Sequence, residues 1–153
     1  GREWFGYPRP SSRERLEFVF DVKPKLASGG GWYSRNLESV NITGTDKPWL
    51  YTSGARGLER FEIPLLGKGD PSSNYTVKFH FSNLDESDSG LLDVRLQGQA
   101  VKPEAEVQST SNHAPIVKEV TGIAVDRNLV VELSSKGGQP LATLSAIEVI
   151  REE

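Results

Sequence analysis

The strongest constraint on the fold is a period of two in the apolar residues, which recurs in short segments along the chain. In Tyr75–Ser82 every second side chain is apolar, namely Val77, Phe79 and Phe81. Leu16–Val22 shows the same alternation. Fifteen Gly and nine Pro separate such segments from one another. A period of two between turn residues predicts antiparallel strands with one buried face.

Later segments extend this pattern. Leu92–Leu96 alternates and leads through Gln97-Gly98-Gln99 towards Val101, which predicts a hairpin. Three more strands are predicted downstream, at Ile116–Val125, Leu129–Leu133 and Leu141–Ile150. No segment has an apolar stripe at helical spacing. About eight or nine short strands favour an all-β sandwich or barrel.

The start of the chain differs from the rest. Residues 1–15 are polar, contain Pro8 and Pro10, and are predicted to be an extended arm or linker, whereas 16–153 form the β-domain. Ser28–Gly31 is predicted to be a mobile or sharply bent loop, because it contains three consecutive glycines. The chain lacks Met and begins with Gly1, which is expected of a domain taken from a longer protein.

Composition excludes several classes of function. A length of 153 residues predicts one domain with one core. The formal charge of -3 argues against nucleic-acid binding, which usually needs a basic face. The apolar runs are far too short for a membrane span. With no Cys, the chain has no disulfides, thiolate metal sites or thiol nucleophiles.

The residues offer little for catalysis. The Gly-x-Ser-x-Gly elbow of serine hydrolases is absent, and only His80 and His113 could act as a base near neutrality. His80 falls on the polar face of its strand and His113 in a polar loop, so both are interpreted as solvated surface residues. The acids Asp85 and Asp88 could serve glycoside chemistry only at a suitable separation. The chain is therefore not predicted to be an enzyme.

No cofactor or metal is predicted. The acidic run Asp85–Asp88 has the oxygen ligands that calcium prefers, but it lacks the spacing of an EF-hand loop. Such a run is usually a solvated hairpin tip, so calcium is the minor alternative. Zinc has less support, because the two histidines are far apart in sequence.

An aromatic pair follows the glycine-rich stretch. Gly29–Gly31 is not followed by the helix of a phosphate-binding loop but by Trp32 and Tyr33. Aromatic faces can stack on the C–H face of a sugar ring. The alternative for each residue is packing at the edge of the core.

Five blocks, in order, resemble the malectin and malectin-like family. They are Pro48–Gly57, Phe61–Leu65, Tyr75–Phe81, Leu92–Gly98 with Val101, and Leu144–Ile150. The resemblance implies a jelly-roll-like antiparallel β-sandwich of the galactose-binding type and a non-catalytic role in carbohydrate binding. The entry region Trp4–Val22 resembles that of modules appended to bacterial, planctomycete-type extracytoplasmic proteins.

The blocks depart from the family pattern where animal malectin holds glucose disaccharides. The aromatic that closes the Leu-Tyr motif falls at Arg56, and an aromatic pair falls at Asp85 and Glu86. The acidic position before the last strand falls near Gly138–Pro140. The glucose-disaccharide specificity is therefore not carried over. Tyr51 keeps the family motif, and packing is its main expected role.

These residues predict a glycan site at the loop end of the sandwich, formed by Trp32, Tyr33, Tyr51, Arg56 and Asp85. The expected partner is a glycan, in a periplasmic, cell-surface or secreted protein. The alternative is a structural domain that docks against a neighbouring domain, such as a β-propeller or an enzyme, and binds no sugar. Convergence of Trp32, Tyr33 and Arg56 on one cleft would favour the glycan site, and scatter would favour docking.

Overall fold

The computed structural model describes residues 4, 21–82, 84, 90–101, 105–107, 114–135 and 143–153. These residues form nine strands and two 3-10 helices. The strands are β1 (Lys25–Ser34), β2 (Ser53–Pro64), β3 (Ser73–Phe81), β4 (Gly90–Leu96), β5 (Gln99–Ala100), β6 (Ala105–Val107), β7 (Ile116–Val125), β8 (Asn128–Ser135) and β9 (Thr143–Arg151). The helices are η1 (Leu37–Ser39) and η2 (Pro48–Tyr51).

Every strand pairing is antiparallel, and the strand order is β5-β4-β8-β2-β9-β3-β7, with β1 added to β2 and β6 added to β4. Strand β2 connects the two halves of this order. Ala55 and Arg56 pair with β9, whereas Arg60–Pro64 pair with β8. Strand β1 pairs with one edge of β2. Strands β9 and β8 therefore pair with the opposite edge of β2, one after the other along its length. The sheet thus divides into two layers, and the predicted antiparallel β-sandwich is confirmed.

The change of partner along β2 occurs at a glycine. Gly57 lies between the two pairings and has a φ of 71°, a conformation that side-chain-bearing residues rarely adopt. A Cβ atom on Gly57 would lie 3.1 Å from Gly30 Cα, so β1 and β2 approach closely at this bend. Glycine at both positions allows β2 to turn from one layer to the other.

The core lies between the layers and follows the predicted alternation. Val77, Phe79 and Phe81 of β3 are fully buried, as the period of two predicts. Leu92 and Val94 of β4 face them in the same core. Burial of each large apolar side chain contributes about 1.5–3 kcal/mol to folding.

The hairpin predicted at Gln97-Gly98-Gln99 is confirmed. Gln97 and Gly98 both have positive φ, at 52° and 76°, as a two-residue type I′ turn requires. The Gln97 side chain also accepts a 2.7 Å hydrogen bond from Val130 N and donates one of 3.1 Å to Asn128 O. These bonds fasten the turn to β8 and compensate for its strained backbone.

Two local predictions meet different outcomes. Ser28–Gly31 is not a loop but an irregular part of β1: Leu26 pairs with Leu58 and Gly31 with Arg56, so four residues of β1 face only Gly57. The glycines let the strand bulge without losing its pairing on either side. The strand predicted at Leu16–Val22 lies outside the described residues except for Asp21 and Val22, which are not in a strand.

Candidate functional site

The bulge of β1 forms one wall of an open groove with a volume of about 610 Å³. Arg56 and Arg60 of β2 and the C-terminal end of β8 form the rest of it. Its other polar lining residues are Lys25, Ser28, Glu59, Glu132, Ser134 and Ser135. The bulge has no room for a side chain at Gly30, because a Cβ atom there would lie 2.9 Å from Arg56 O.

The charged side chains of the groove are mostly held by ion pairs. Lys25 Nζ lies 2.8 Å from Glu59 Oε2, and Arg60 Nε lies 3.6 Å from Glu132 Oε1. Arg60 also contacts Glu62, at 2.7 Å. Three cationic side chains and two carboxylates line the groove, so neither sign dominates. Paired charges of this kind suit a neutral polar ligand better than a highly charged one.

Trp32 and Tyr33, the aromatic pair predicted from the sequence, do not line this groove. Trp32 and Tyr33 are consecutive in β1, so their side chains point to opposite faces. Tyr33 is opposite Gly54, on the same face as Arg56, but its hydroxyl donates a 3.1 Å hydrogen bond to Tyr51 O and lies 3.1 Å from Ser145 Oγ. Trp32 is opposite the buried Ala55 and is 43% exposed.

Tyr51 lies on the outer side of β3, where it contacts His80. Its side chain is 2% exposed, and its hydroxyl lies 2.8 Å from His80 Nδ1. The predicted packing role of Tyr51 agrees with this burial. Burial, with smaller effects from Asp46 and Glu148, raises the pKa of Tyr51 to about 12.

The prediction that His80 is a solvated surface residue is wrong. Its side chain does lie on the polar face of β3, but η2 and Trp4 cover that face and leave His80 8% exposed. Burial lowers the pKa of His80; Lys47 and Lys78 act in the same direction, and Glu148 opposes them. Strand periodicity assigns a residue to a face, but it does not reveal what packs on that face.

Two tryptophans and a glutamate complete this cluster, and sequence reasoning missed all three as site residues. The Trp4 ring stands edge-on to Trp49, with centroids 6.0 Å apart, and to His80, with centroids 5.9 Å apart. Glu148 Oε2 of β9 lies 3.7 Å from His80 Nε2. The proximity of Trp49 to Tyr51 in sequence was the available signal, because both belong to η2.

The order Tyr51, His80, Glu148 places a hydroxyl, an imidazole and a carboxylate in a row. A catalytic relay would need an accessible nucleophile whose pKa is lowered. Tyr51 is instead buried, and its pKa is raised. The row is therefore suited to hydrogen bonding rather than to nucleophilic attack.

The remaining predictions concern the acidic run, His113, a metal site and a membrane span. Asp85 and the acidic run to Asp88, and His113, lie outside the described residues. Within the described ranges, no three His, Asp or Glu side chains come together as a metal site would require. The same ranges contain no helix that is long and apolar enough to span a membrane.

Comparison with known proteins gives a likeness in fold alone. No family model and no curated protein matches the sequence. Among solved structures, Bacteroides uniformis β-glucuronidase superposes with a TM-score of 0.61 at 14% identity, over 85% of this chain and 14% of that chain. The extracellular domain of ANXUR1 from Arabidopsis thaliana gives 0.61 at 12% identity, over 85% and 40%. A plant complex of the peptide RALF23 with FER and LLG2 gives 0.58 at 17% identity, over 84% and 40%.

The chain has a malectin-like fold. It spans between 14% and 40% of the length of these three chains. A similar fold thus occurs as a part of larger proteins, and identities below 20% show no shared ligand or activity.

Proposed function

We propose that this chain is a non-catalytic carbohydrate-binding domain of an extracytoplasmic protein, and that the groove beside Arg56 binds the sugar. The observation that carries the proposal is the groove itself, whose volume of about 610 Å³ falls in the range of small-molecule sites. Arg56, one of the residues predicted from sequence, lines it.

The chemistry of the lining supports a polyhydroxylated ligand. A sugar hydroxyl both donates and accepts hydrogen bonds. Arg56 and Arg60 can donate, Glu59 and Glu132 can accept, and Ser134 can do either. The near balance of charge favours a neutral glycan over a polyanion. Trp32 and Tyr33 are not part of this groove, so binding there relies on hydrogen bonds rather than on ring stacking.

The test is a glycan array followed by calorimetric titration of the wild type and of Arg56→Ala. We expect the substitution to weaken binding by about tenfold, which corresponds to about 1.4 kcal/mol. Arg151→Ala is the matched control, because Arg151 lies at the other end of β9 from Thr143, the residue that pairs with Arg56. A folded wild-type protein that binds no neutral or acidic glycan would overturn the proposal.

A second candidate, docking against a neighbouring domain, is favoured by the scatter of Trp32, Tyr33 and Arg56. Trp32 is a large exposed aromatic residue on β1, which pairs with β2 alone among the described strands. An exposed edge of this kind is available to a protein partner. Hydrogen exchange of the β1 amides distinguishes the two functions. Protection in the complete polypeptide, compared with the isolated chain, would support docking, and equal exchange would oppose it.

A further inference from the structure

On the outer face of β3 and β9, a ring from the chain's own N-terminal region lies against a cluster of aromatic and polar side chains. We call this cluster the Trp4 recess, formed by Trp49, Tyr51, His80 and Glu148. Trp4 stands edge-on to two of its rings, with interplanar angles of 88° to Trp49 and 79° to His80. Trp49 is 47% exposed, so an apolar ring face remains at the opening of the recess.

The floor of the recess contains a buried polar atom without a hydrogen bond. His80 Nε2 is inaccessible to solvent and has no hydrogen-bond partner, although Glu148 Oε2 lies 3.7 Å away. The other ring nitrogen is engaged by the Tyr51 hydroxyl. A buried polar group without a partner costs free energy, and its retention in a folded domain calls for an explanation.

A ligand hydroxyl would fit this floor better than an indole does. If Tyr51 donates to Nδ1, then Nε2 carries the proton and needs an acceptor; in the other tautomer Nε2 needs a donor. A hydroxyl satisfies either tautomer, and when its oxygen accepts from Nε2–H its own proton can be donated to the Glu148 carboxylate. The indole of Trp4 can only donate, through a single N–H.

From this geometry we propose that the Trp4 recess is a second binding site, for a hydroxyl-bearing pyranose ring, and that Trp4 is its built-in competitor. The pyranose would stack on Trp49 and place a hydroxyl beside both His80 Nε2 and Glu148 Oε2, which are 3.7 Å apart. Trp4 occupies the recess until the ring displaces it. This site shares no residue with the Arg56 groove, so failure of either proposal leaves the other unaffected.

Competition within one chain has a measurable consequence. Trp4 is tethered to the domain, so it occupies the recess at any protein concentration. The apparent dissociation constant of an external ring is then the intrinsic constant divided by the fraction of molecules in which Trp4 has left the recess. Two edge-on aromatic contacts are sufficient for a shift of about tenfold.

The experiment compares wild type, Trp4→Ala and Trp4→Phe for binding of methyl glycosides of glucose, galactose, mannose and glucuronic acid. The nitrogen resonances of the His80 imidazole are recorded in parallel. We expect Trp4→Ala to bind at least one of these glycosides about tenfold more tightly than wild type, with a shift of the His80 Nε2 resonance. Trp4→Phe should lie between the two, because it retains a ring. Adding Trp49→Ala to Trp4→Ala should remove the gain, and adding Arg56→Ala should leave it.

A folded Trp4→Ala protein that binds all four glycosides no better than wild type would overturn the proposal, as would a gain that depends on Arg56. If Trp4→Ala does not fold, wild type labelled with fluorotryptophan provides the second measurement. Movement of the Trp4 fluorine signal to a solvent-exposed shift on glycoside binding supports displacement. An unchanged Trp4 signal at saturating glycoside contradicts it.

Discussion

The hydroxyl of Tyr51 and Nδ1 of His80 form a 2.8 Å hydrogen bond between η2 and the outer face of β3. Both side chains are buried, although neither belongs to the core between the two layers. A short 3-10 helix thus covers a strand face that would otherwise be solvated. The burial that accompanies this contact is the main cause of the pKa shifts of both residues, raising the pKa of Tyr51 and lowering that of His80.

His80 should make stability depend on pH near neutrality. Its pKa is lowered in the folded state, so the unfolded chain binds the proton more readily. Stability is therefore fully present above the unfolded value of about 6.5 and decreases as the pH falls from there through the folded pKa. Urea unfolding between about pH 5 and pH 8 measures this slope. His80→Gln should flatten it, whereas His113→Gln, the only other histidine substitution, serves as the comparison.

Removal of the Tyr51 hydroxyl should destabilise the fold. In Tyr51→Phe the buried Nδ1 of His80 loses its partner, which costs about 1–3 kcal/mol. Tyr75→Phe is the control, because Tyr75 is buried in the core and does not contact His80. Equal unfolding free energies for the two variants would show that the Tyr51 hydrogen bond contributes nothing specific.

Gly54 should not tolerate a side chain. In Gly54→Ala the new Cβ atom would lie 2.6 Å from Leu144 O and 2.8 Å from Tyr33 Cε1, so backbone as well as side chain must move. We expect a loss of about 1–3 kcal/mol, as for other overpacked sites. Gly31→Ala is the matched control on the neighbouring strand, since its Cβ atom would meet nothing within 4 Å. Chemical denaturation compares the two, and a similar loss in both would refute the steric reason.

Phe79 should be among the most costly core positions. It is fully buried and its ring stacks on Phe81 with centroids 6.3 Å apart. Phe79→Ala should lower the free energy of unfolding by about 3–5 kcal/mol through lost burial and a cavity. Val117→Ala on the adjacent strand should change it by less than about 0.5 kcal/mol, because Val117 is 49% exposed. Thermal or urea unfolding of both variants checks the difference.

Much of the strand pattern could be predicted because it depends on local alternation. The segments predicted at Tyr75–Ser82, Leu92–Leu96, Ile116–Val125 and Leu129–Leu133 correspond to β3, β4, β7 and β8. The glycine-rich stretch was misjudged, because pairing with β2 keeps Ser28–Gly31 within a strand despite its flexible composition. Pairing across the sheet outweighs the local preference of glycine for loops.

The candidate sites were less predictable. Arg56 could be selected from a departure in a family motif, but its groove depends on a bulge of β1 that no local pattern shows. Glu148 and His80 lie on paired strands, and their proximity follows from the register of β9 against β3. Trp4 is distant in sequence from Trp49, and sequence spacing carries no information about that contact.

The sequence alone determined that the chain is all-β, which side chains of each strand are apolar, and where the β4–β5 hairpin turns, because these depend on neighbours within a few residues. Only the tertiary structure decided that β2 turns between two layers at Gly57, that Arg56 lines a groove, and that His80 is buried beneath η2 and Trp4. Such contacts join residues far apart in the chain. They arise from the packing of whole strands. No short segment specifies the register of a strand or the residues that cover its face.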